Sequence, residues 1–160
     1  MSNITLDDKD LEILRILQKD AKTTAKAISR KINSPITTVY SRINRMEEAG
    51  IISSYKTVLD PYKLGKPTTA FILANFTYRT PGVEEPLNQH SVAKEIAGFK
   101  EVQEIHIISG DWDLIIKLKA ANVADIGNFV VNKLRTVRGV AKTLTCMVFE
   151  SLKETSDLHI

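Results

Sequence analysis

The second half of the sequence repeats one order of predicted secondary-structure elements, and this repeat limits the possible folds more than any other feature. Each repeat is a β-prone strand, a helix and a second strand. The predicted segments are 68–76, 91–97 and 102–108, followed by 113–119, 123–137 and 140–149. In the longer helix, apolar residues recur at helical spacing from Val123 to Val137. This order predicts a ferredoxin-like βαββαβ fold, an antiparallel sheet with both helices on one face.

Such a sheet leaves its other face uncovered in a single chain. Strand alternation places Ile, Val, Met and Phe side chains on that face, so something must cover it. A second copy of the chain is the simplest cover, and we predict a homodimer. The single cysteine, Cys146, lies in the middle of the last strand and is predicted to pack in the core, since one cysteine can form no internal disulfide.

The first sixty residues contain three predicted helices. The first covers residues 6–19, and the second follows a cap at Thr23 or Thr24. The third starts with Ser34 as N-cap and Pro35 in the first turn, runs to residue 49, and buries Val39, Ile43 and Met46. Two helices joined by a short turn, the second longer, predict a helix-turn-helix. The β-branched segment 51–59 predicts a strand in the position of a wing, so the α+β chain begins with a winged helix-turn-helix domain.

The net charge of +3 is unevenly distributed along the chain. Residues 1–67 hold twelve Lys or Arg against eight Asp or Glu, whereas residues 68–160 hold ten against eleven. The window 21–46 contains six basic and no acidic residues. Such a local field favours a polyanion such as double-stranded DNA, although a solvated helical face has the same composition.

The third helix carries short or forked polar side chains opposite its apolar stripe. These are Thr37, Thr38, Ser41, Asn44 and Arg45, with Tyr40 and Arg42 at the flanks. Such side chains hydrogen-bond base edges without bulk, whereas protein-binding modules also carry polar helical faces. We predict that Thr37, Thr38, Ser41 and Arg42 read bases. We predict that contacts with the DNA phosphates come from Lys22, Arg30, Lys31, Arg45 and Lys56.

Two long segments carry a resemblance to a known family. LDDKDLEILRILQKDAKTTAKAISRKI and SPITTVYSRINRMEEAGIISSYKTVLDPYKLG resemble the N-terminal half of Lrp/AsnC (feast/famine) transcription regulators, except that Ser34 stands where a hydrophobic residue is expected. The resemblance implies residues 1–60 as the DNA-binding domain, 61–67 as a hinge, 68–153 as a ligand-sensing and dimerisation domain, and 154–160 as a tail. It also implies sheets that pair face to face and dimers that assemble further, often into octamers.

The loop between the two central strands combines glycine, two carboxylates and the only tryptophan. Its residues are Ser109, Gly110, Asp111, Trp112 and Asp113. From the residues alone a hairpin turn is the first interpretation, because Gly-Asp is favourable turn chemistry. The resemblance implies instead a cleft between protomers that binds a free amino acid, with backbone N–H groups for its carboxylate and Asp111 and Asp113 for its ammonium. Thr143 and Thr145 match the Thr-x-Thr of the same site.

Other functional classes find little support in the sequence. It contains no phosphate-binding loop, dinucleotide fingerprint, nucleophile elbow or zinc-protease motif, and we predict no catalytic residue, metal or cofactor. No secretory or membrane-spanning segment is present, so a cytoplasmic protein is expected. The alternatives are an enzyme resembling the siroheme decarboxylases, which share this two-domain body, and a pure assembly module. The loop 78–89 has no assigned role.

Overall fold

The computed structural model describes residues 4–78 and 87–160, so most of the predicted loop 78–89 lies outside the described residues. The chain separates into two compact units. The first ends at Val58 and also takes in Glu154–Ile160, and the second is Leu59–Lys153. Hinge residues 61–67 therefore group with the second unit, and the tail groups with the first rather than standing apart.

Three helices form the first unit: α1 (Asp8–Lys19), α2 (Ala25–Lys31) and α3 (Ile36–Glu48). A capping box starts α1, since Asp7 and Asp10 each accept a hydrogen bond from the other's backbone N–H. Thr24 caps α2 by accepting from the N–H of Ala27. The helices enclose a core formed by Ile13, Ala25, Ile28, Ile32, Val39 and Met46. Val39 and Met46 are buried as the helical periodicity predicts, whereas Ile43 is only partly buried and packs against this core.

The turn between α2 and α3 differs from the prediction at one residue. Asn33 takes the left-handed conformation, with φ of 47°, which asparagine tolerates better than most residues. However, Pro35 rather than Ser34 occupies the N-cap of α3, and no side chain caps this helix. The reason is that Ser34 is buried and its Oγ accepts a hydrogen bond of 2.8 Å from Lys9 Nζ of α1. The hydroxyl therefore holds the turn against α1.

The strand predicted at 51–59 is not formed, and this prediction is wrong for the single chain. A strand exists only where a neighbour satisfies its backbone groups, and the sheet of the described residues does not include this segment. Val58 is 95% exposed, which shows how little contact it has. The β-branched composition is therefore not sufficient to form a strand.

The second unit is one antiparallel sheet with two helices, as predicted. Its elements are β1 (Thr68–Phe76), α4 (Gln89–Ala97), β2 (Val102–Ile107), β3 (Leu114–Ala120), α5 (Val123–Asn132) and β4 (Val140–Met147). The strand order β2-β3-β1-β4 is that of the ferredoxin-like fold. The helix predicted over 123–137 stops earlier, and a 3-10 turn (Leu134–Thr136) follows it. That turn places Leu134 fully in the core.

The two faces of the sheet differ in how far they are covered. Ile72, Ile116 and Leu118 are buried in the core that also contains residues of α4 and α5. The opposite face carries Phe71 paired with Cys146, and Leu73 paired with Leu144. Cys146 is exposed, so the prediction that it packs in the core is wrong for one chain. Strand alternation places it on the uncovered face.

The C-terminal tail contacts α1 within the first unit. Gln18 accepts a hydrogen bond of 2.7 Å from the N–H of Leu158 and donates one of 3.1 Å to its carbonyl. Arg15 Nε donates to the carbonyl oxygen of Ile160 at 2.6 Å. The tail is thereby held through its backbone. Among the helices of residues 4–78 and 87–160, none combines the length and apolar character needed to cross a bilayer.

Candidate nucleic-acid interface and effector site

The solvent-facing side of α3 is the first candidate surface. Val39 and Met46 are fully buried, which turns the opposite side of the helix outward. Thr37, Ser41 and Asn44 lie on that side, all exposed, at the i, i+4 and i+7 spacing of one stripe. Tyr40 is 56% exposed, whereas Thr38 and Arg42 are half-buried. The helix therefore presents a polar, low-bulk surface to solvent.

A cluster of ion pairs connects the C-terminal half of α3 to the start of α1. Arg42 Nη1 donates to Asp7 Oδ2 at 2.7 Å and to Asp10 Oδ1 at 2.8 Å, and Arg45 Nη2 donates to Asp10 Oδ2 at 2.5 Å. The Asp10 side chain is fully buried, and that of Arg42 is 22% exposed. These hydrogen bonds raise the pKa of Arg42, first through Asp10. The sequence pattern does not reveal this cluster, since it presents both arginines as available to DNA.

The remaining basic side chains of the first unit are exposed. Lys22, Arg30, Lys31 and Lys56 make no side-chain hydrogen bond or ion pair within the described parts of the chain. Thus α2 and its flanks carry uncompensated positive charge near the turn that leads into α3. Arg45, by contrast, is 46% exposed but paired with Asp10.

The loop between β2 and β3 is held by the end of β1. Its closing bond runs from the N–H of Ile108 to the carbonyl of Asp113 at 2.9 Å. Asp113 Oδ2 accepts a 2.7 Å hydrogen bond from the N–H of Phe76, and Asn75 Nδ2 donates to the carbonyl of Asp111 at 2.8 Å. Gly110 has a φ of +119°, which favours glycine. The Asp113 carboxylate therefore fixes the loop, while Ser109, Gly110 and Asp111 remain exposed.

The two threonines of β4 lie on the other side of β1 from this loop. Thr143 pairs with Ala74 and Thr145 with Ile72, so both share one face of the sheet. The N–H of Asp113 donates to the carbonyl of Ala74, which places Thr143 about 10 Å away across two strand spacings. The fold thus brings the loop and the threonine pair to the same end of the sheet.

Two further cations border this end of the sheet. Arg135 Nε donates to Thr143 Oγ1 at 3.4 Å, and Lys142 Nζ lies 5.3 Å from the centre of the Trp112 ring. A cation over an indole face is an attractive arrangement. Sequence reasoning missed both residues, since no local pattern connects Lys142 to Trp112, thirty positions away.

Comparison with known families gives matches in both units. Residues 6–53 match the family model for a winged helix-turn-helix DNA-binding domain, and residues 82–158 match the Lrp/AsnC ligand binding domain. An uncharacterised HTH-type transcriptional regulator of Pyrococcus furiosus is 38% identical over 93% of this chain and 96% of its own. The chain belongs to the Lrp/AsnC family of transcription regulators. It is therefore an HTH-type regulator with a ligand-binding domain, and its helix-turn-helix is a DNA-binding domain.

Further similar proteins align with this chain over almost its whole length. The HTH-type regulator FL11 of Pyrococcus horikoshii is 31% identical over 98% of both chains. The crystal structure of an AsnC family regulator from Agrobacterium tumefaciens has a TM-score of 0.86 at 25% identity, with 96% of this chain and 97% of that chain covered. A regulator of Neisseria meningitidis in complex with L-Met has a TM-score of 0.85 at 22% identity, with 97% of each chain covered. These relatives give no support to the siroheme-decarboxylase alternative.

Proposed function

We propose that this Lrp/AsnC regulator reads a specific DNA sequence with α3 and responds to a small amino acid bound near the β2–β3 loop. The observation that carries the proposal is the exposed stripe of Thr37, Ser41 and Asn44 on the second helix of a helix-turn-helix. A recognition helix places such side chains against base edges in the major groove. Thr38 and Tyr40 flank the stripe and are assigned to the same surface.

The ion-pair cluster divides the arginines from the other DNA contacts. Arg42 is held by two carboxylates, so its first role is to position α3 against α1. Arg45 is half-exposed and can reach a phosphate from the same pair. Phosphate binding is otherwise assigned to Lys22, Arg30, Lys31 and Lys56, as predicted from the sequence.

Selection from a random DNA library tests the assignment of the two groups. Ser41→Ala and Asn44→Ala should alter the preferred sequence, because each removes a hydrogen bond to a base edge. Lys31→Ala should leave the preferred sequence unchanged and lower the affinity for all DNA sequences alike. Because one phosphate contact is lost, the slope of the logarithm of the binding constant against log salt should decrease by about 0.9. Lys153→Ala, an exposed lysine of the second unit, serves as the charge-matched control. Unchanged preference in both α3 variants would contradict base reading by this stripe.

The effector site is assigned to the exposed part of the β2–β3 loop. Asp111 has an exposed carboxylate that accepts no hydrogen bond from the described residues, whereas Asp113 is occupied by the N–H of Phe76. We assign the effector ammonium to Asp111, and we assign to Asp113 the positioning of the loop. We assign the remaining loop residues, Ser109, Gly110 and Trp112, to the same site. Thr143 and Thr145 would contact the effector from β4. The bound L-Met of the Neisseria relative supports an amino acid as ligand.

The uncovered face of the sheet is the proposed dimer interface. Phe71, Leu73 and Leu144 form an apolar surface that a second copy would bury, and further assembly, such as an octamer, is proposed from the resemblance to other members of the family. A dimer in the cytoplasm would present two α3 helices to half-sites about 34 Å apart.

An effector bound to such a dimer would regulate DNA binding by changing the geometry of the subunits. A coupling of about 1 to 3 kcal/mol would change DNA affinity about 5- to 150-fold.

A thermal-shift screen of the twenty amino acids tests the effector proposal. One or a few should raise the melting temperature of the wild-type protein, and Asp111→Asn should remove that rise without lowering the basal melting temperature. Asp113→Asn should lower the basal value, because it loosens the contact with Phe76. The absence of any stabilising amino acid, or full stabilisation of Asp111→Asn, would overturn this assignment.

A further inference from the structure

A cavity lies at the end of the sheet opposite to the β2–β3 loop. Its volume is about 520 Å³, within the range of small-molecule sites. Gly65 and Lys66, just before β1, form one wall, and residues of α5 form another. Strand β3 runs from the loop at Leu114 to the cavity at Ala120, which separates the two sites by about 20 Å. The cavity is thus distinct from the proposed amino-acid site.

The lining of the cavity combines an apolar floor with a basic rim. Leu118, Ile126 and Phe129 supply the apolar surface. Four lysines border it against two carboxylates, namely Lys66, Lys100, Lys119 and Lys133 against Glu101 and Asp125. The side chains of Lys66 and Lys100 form no hydrogen bond or ion pair within residues 4–78 and 87–160. The rim therefore carries a surplus of positive charge that favours an anionic group.

The Glu101 carboxylate lines the same cavity, and only one of its two oxygens accepts a hydrogen bond. Its Oε1 accepts a 2.6 Å hydrogen bond from Lys133 Nζ, and this contact is the main reason that the pKa of Glu101 is lowered. Its Oε2 is buried and has no hydrogen-bond partner in the described part of the chain. A buried carboxylate oxygen without a donor is costly, so a ligand that brings an O–H or N–H group would satisfy it.

We propose that this cavity binds an amphiphilic carboxylate that carries a hydrogen-bond donor. Its carboxylate contacts Lys66 and Lys100, its apolar body packs on Leu118 and Phe129, and its donor reaches Glu101 Oε2. Lys66 belongs to the segment that connects the DNA-binding domain to β1, so the ligand would contact that segment. The proposed ligand differs from the amino-acid effector, because the excess of lysines at this cavity disfavours the ammonium group that an amino acid carries.

Calorimetric titration of the full-length protein with 3-phenyllactate tests the proposal. This acid has a carboxylate, a hydroxyl and a phenyl ring but no ammonium group, so it is a poor mimic of an amino-acid effector. We expect saturable binding of one molecule per chain. 3-Phenylpropionate, which lacks only the hydroxyl, should bind several-fold more weakly, since it leaves Glu101 Oε2 unsatisfied.

Variants locate the bound acid. The double variant Lys66→Ala, Lys100→Ala should lower the affinity for 3-phenyllactate by at least about tenfold, because it removes two charge-assisted contacts. Lys153→Ala and Asp111→Asn should bind like the wild type. No saturable binding, or binding lost in Asp111→Asn and retained in the double lysine variant, would overturn the proposal. Equal affinity for the two acids would overturn the role of Glu101. None of these outcomes depends on whether the protein binds DNA or an amino acid.

Discussion

Asp10 of α1 and Arg45 of α3 form a hydrogen-bonded ion pair of 2.5 Å, although 35 residues separate them in the sequence. The Asp10 carboxylate is fully buried and accepts a second guanidinium, that of Arg42, on its other oxygen. The same residue completes the capping box of α1. One buried carboxylate therefore fixes the start of α1 and the orientation of the recognition helix together.

Replacing this carboxylate should destabilise the first unit. Asp10→Asn keeps the size of the side chain but removes the charge that compensates two guanidinium groups. We expect a loss of about 1 to 3 kcal/mol in the free energy of unfolding, below the cost of a fully buried pair because Arg45 is half-exposed. Urea denaturation followed on amide signals of the first unit measures it. Asp8→Asn, an exposed acid of the same helix, is the control and should change stability little.

Arg42 should affect stability more than sequence preference. Arg42→Ala leaves Asp10 with a single guanidinium partner and Asp7 with none, so the melting temperature should fall. Ser41→Ala, next to it on the exposed side, should leave the melting temperature unchanged and alter the preferred DNA sequence. Library selection and thermal denaturation of both variants separate the two roles. A stable Arg42→Ala protein with altered sequence preference would show that Arg42 reads bases.

Local patterns predicted the elements better than they predicted the contacts between them. The cap of α2 at Thr24 and the order of strands and helices in the second unit follow from local cap residues and hydrophobic periodicity, so the sequence was sufficient for them. The pairing of Lys9 with Ser34 joins residues 25 positions apart, and no short-range pattern marks it. The segment 51–59 and Cys146 were misassigned for a different reason, because both depend on whether another strand or surface covers them.

The C-terminal tail should lose its attachment when Gln18 is changed. The Gln18 amide satisfies both backbone groups of Leu158, much as a neighbouring strand would. In Gln18→Ala, the Leu158 amide should exchange with solvent faster, while the free energy of unfolding should fall by only about 1 kcal/mol or less, since the contact is exposed. Hydrogen exchange followed by NMR measures both. Glu12→Ala, an exposed residue of α1, should leave the Leu158 amide protected.

Tyr55 should titrate at unusually high pH. Partial burial and its 2.7 Å hydrogen bond to Glu47 raise the pKa of Tyr55 from 10.0 to about 12. Because the folded-state value is the higher one, this stabilisation is complete below pH 10 and is lost as the pH rises through about 12. Glu47→Gln should lower the pKa, measured by ultraviolet absorbance of the phenolate, whereas Glu48→Gln should not. An unchanged Tyr55 titration in Glu47→Gln would contradict the role of this hydrogen bond.

Two glycines of the second unit should respond to alanine with opposite signs. Gly139 has a φ of +97°, and a Cβ atom there would lie 2.8 Å from the ring of Phe76. Gly139→Ala therefore combines backbone strain with a core clash, and we expect a loss of about 2 to 4 kcal/mol in the free energy of unfolding. Gly127 lies in α5, where an added Cβ atom would meet nothing within 4 Å, so Gly127→Ala should add about 0.5 to 1 kcal/mol through helix propensity. Urea denaturation of the two variants beside the wild type measures both changes. If Gly139→Ala were as stable as Gly127→Ala, the close contact between Gly139 and the Phe76 ring would be ruled out.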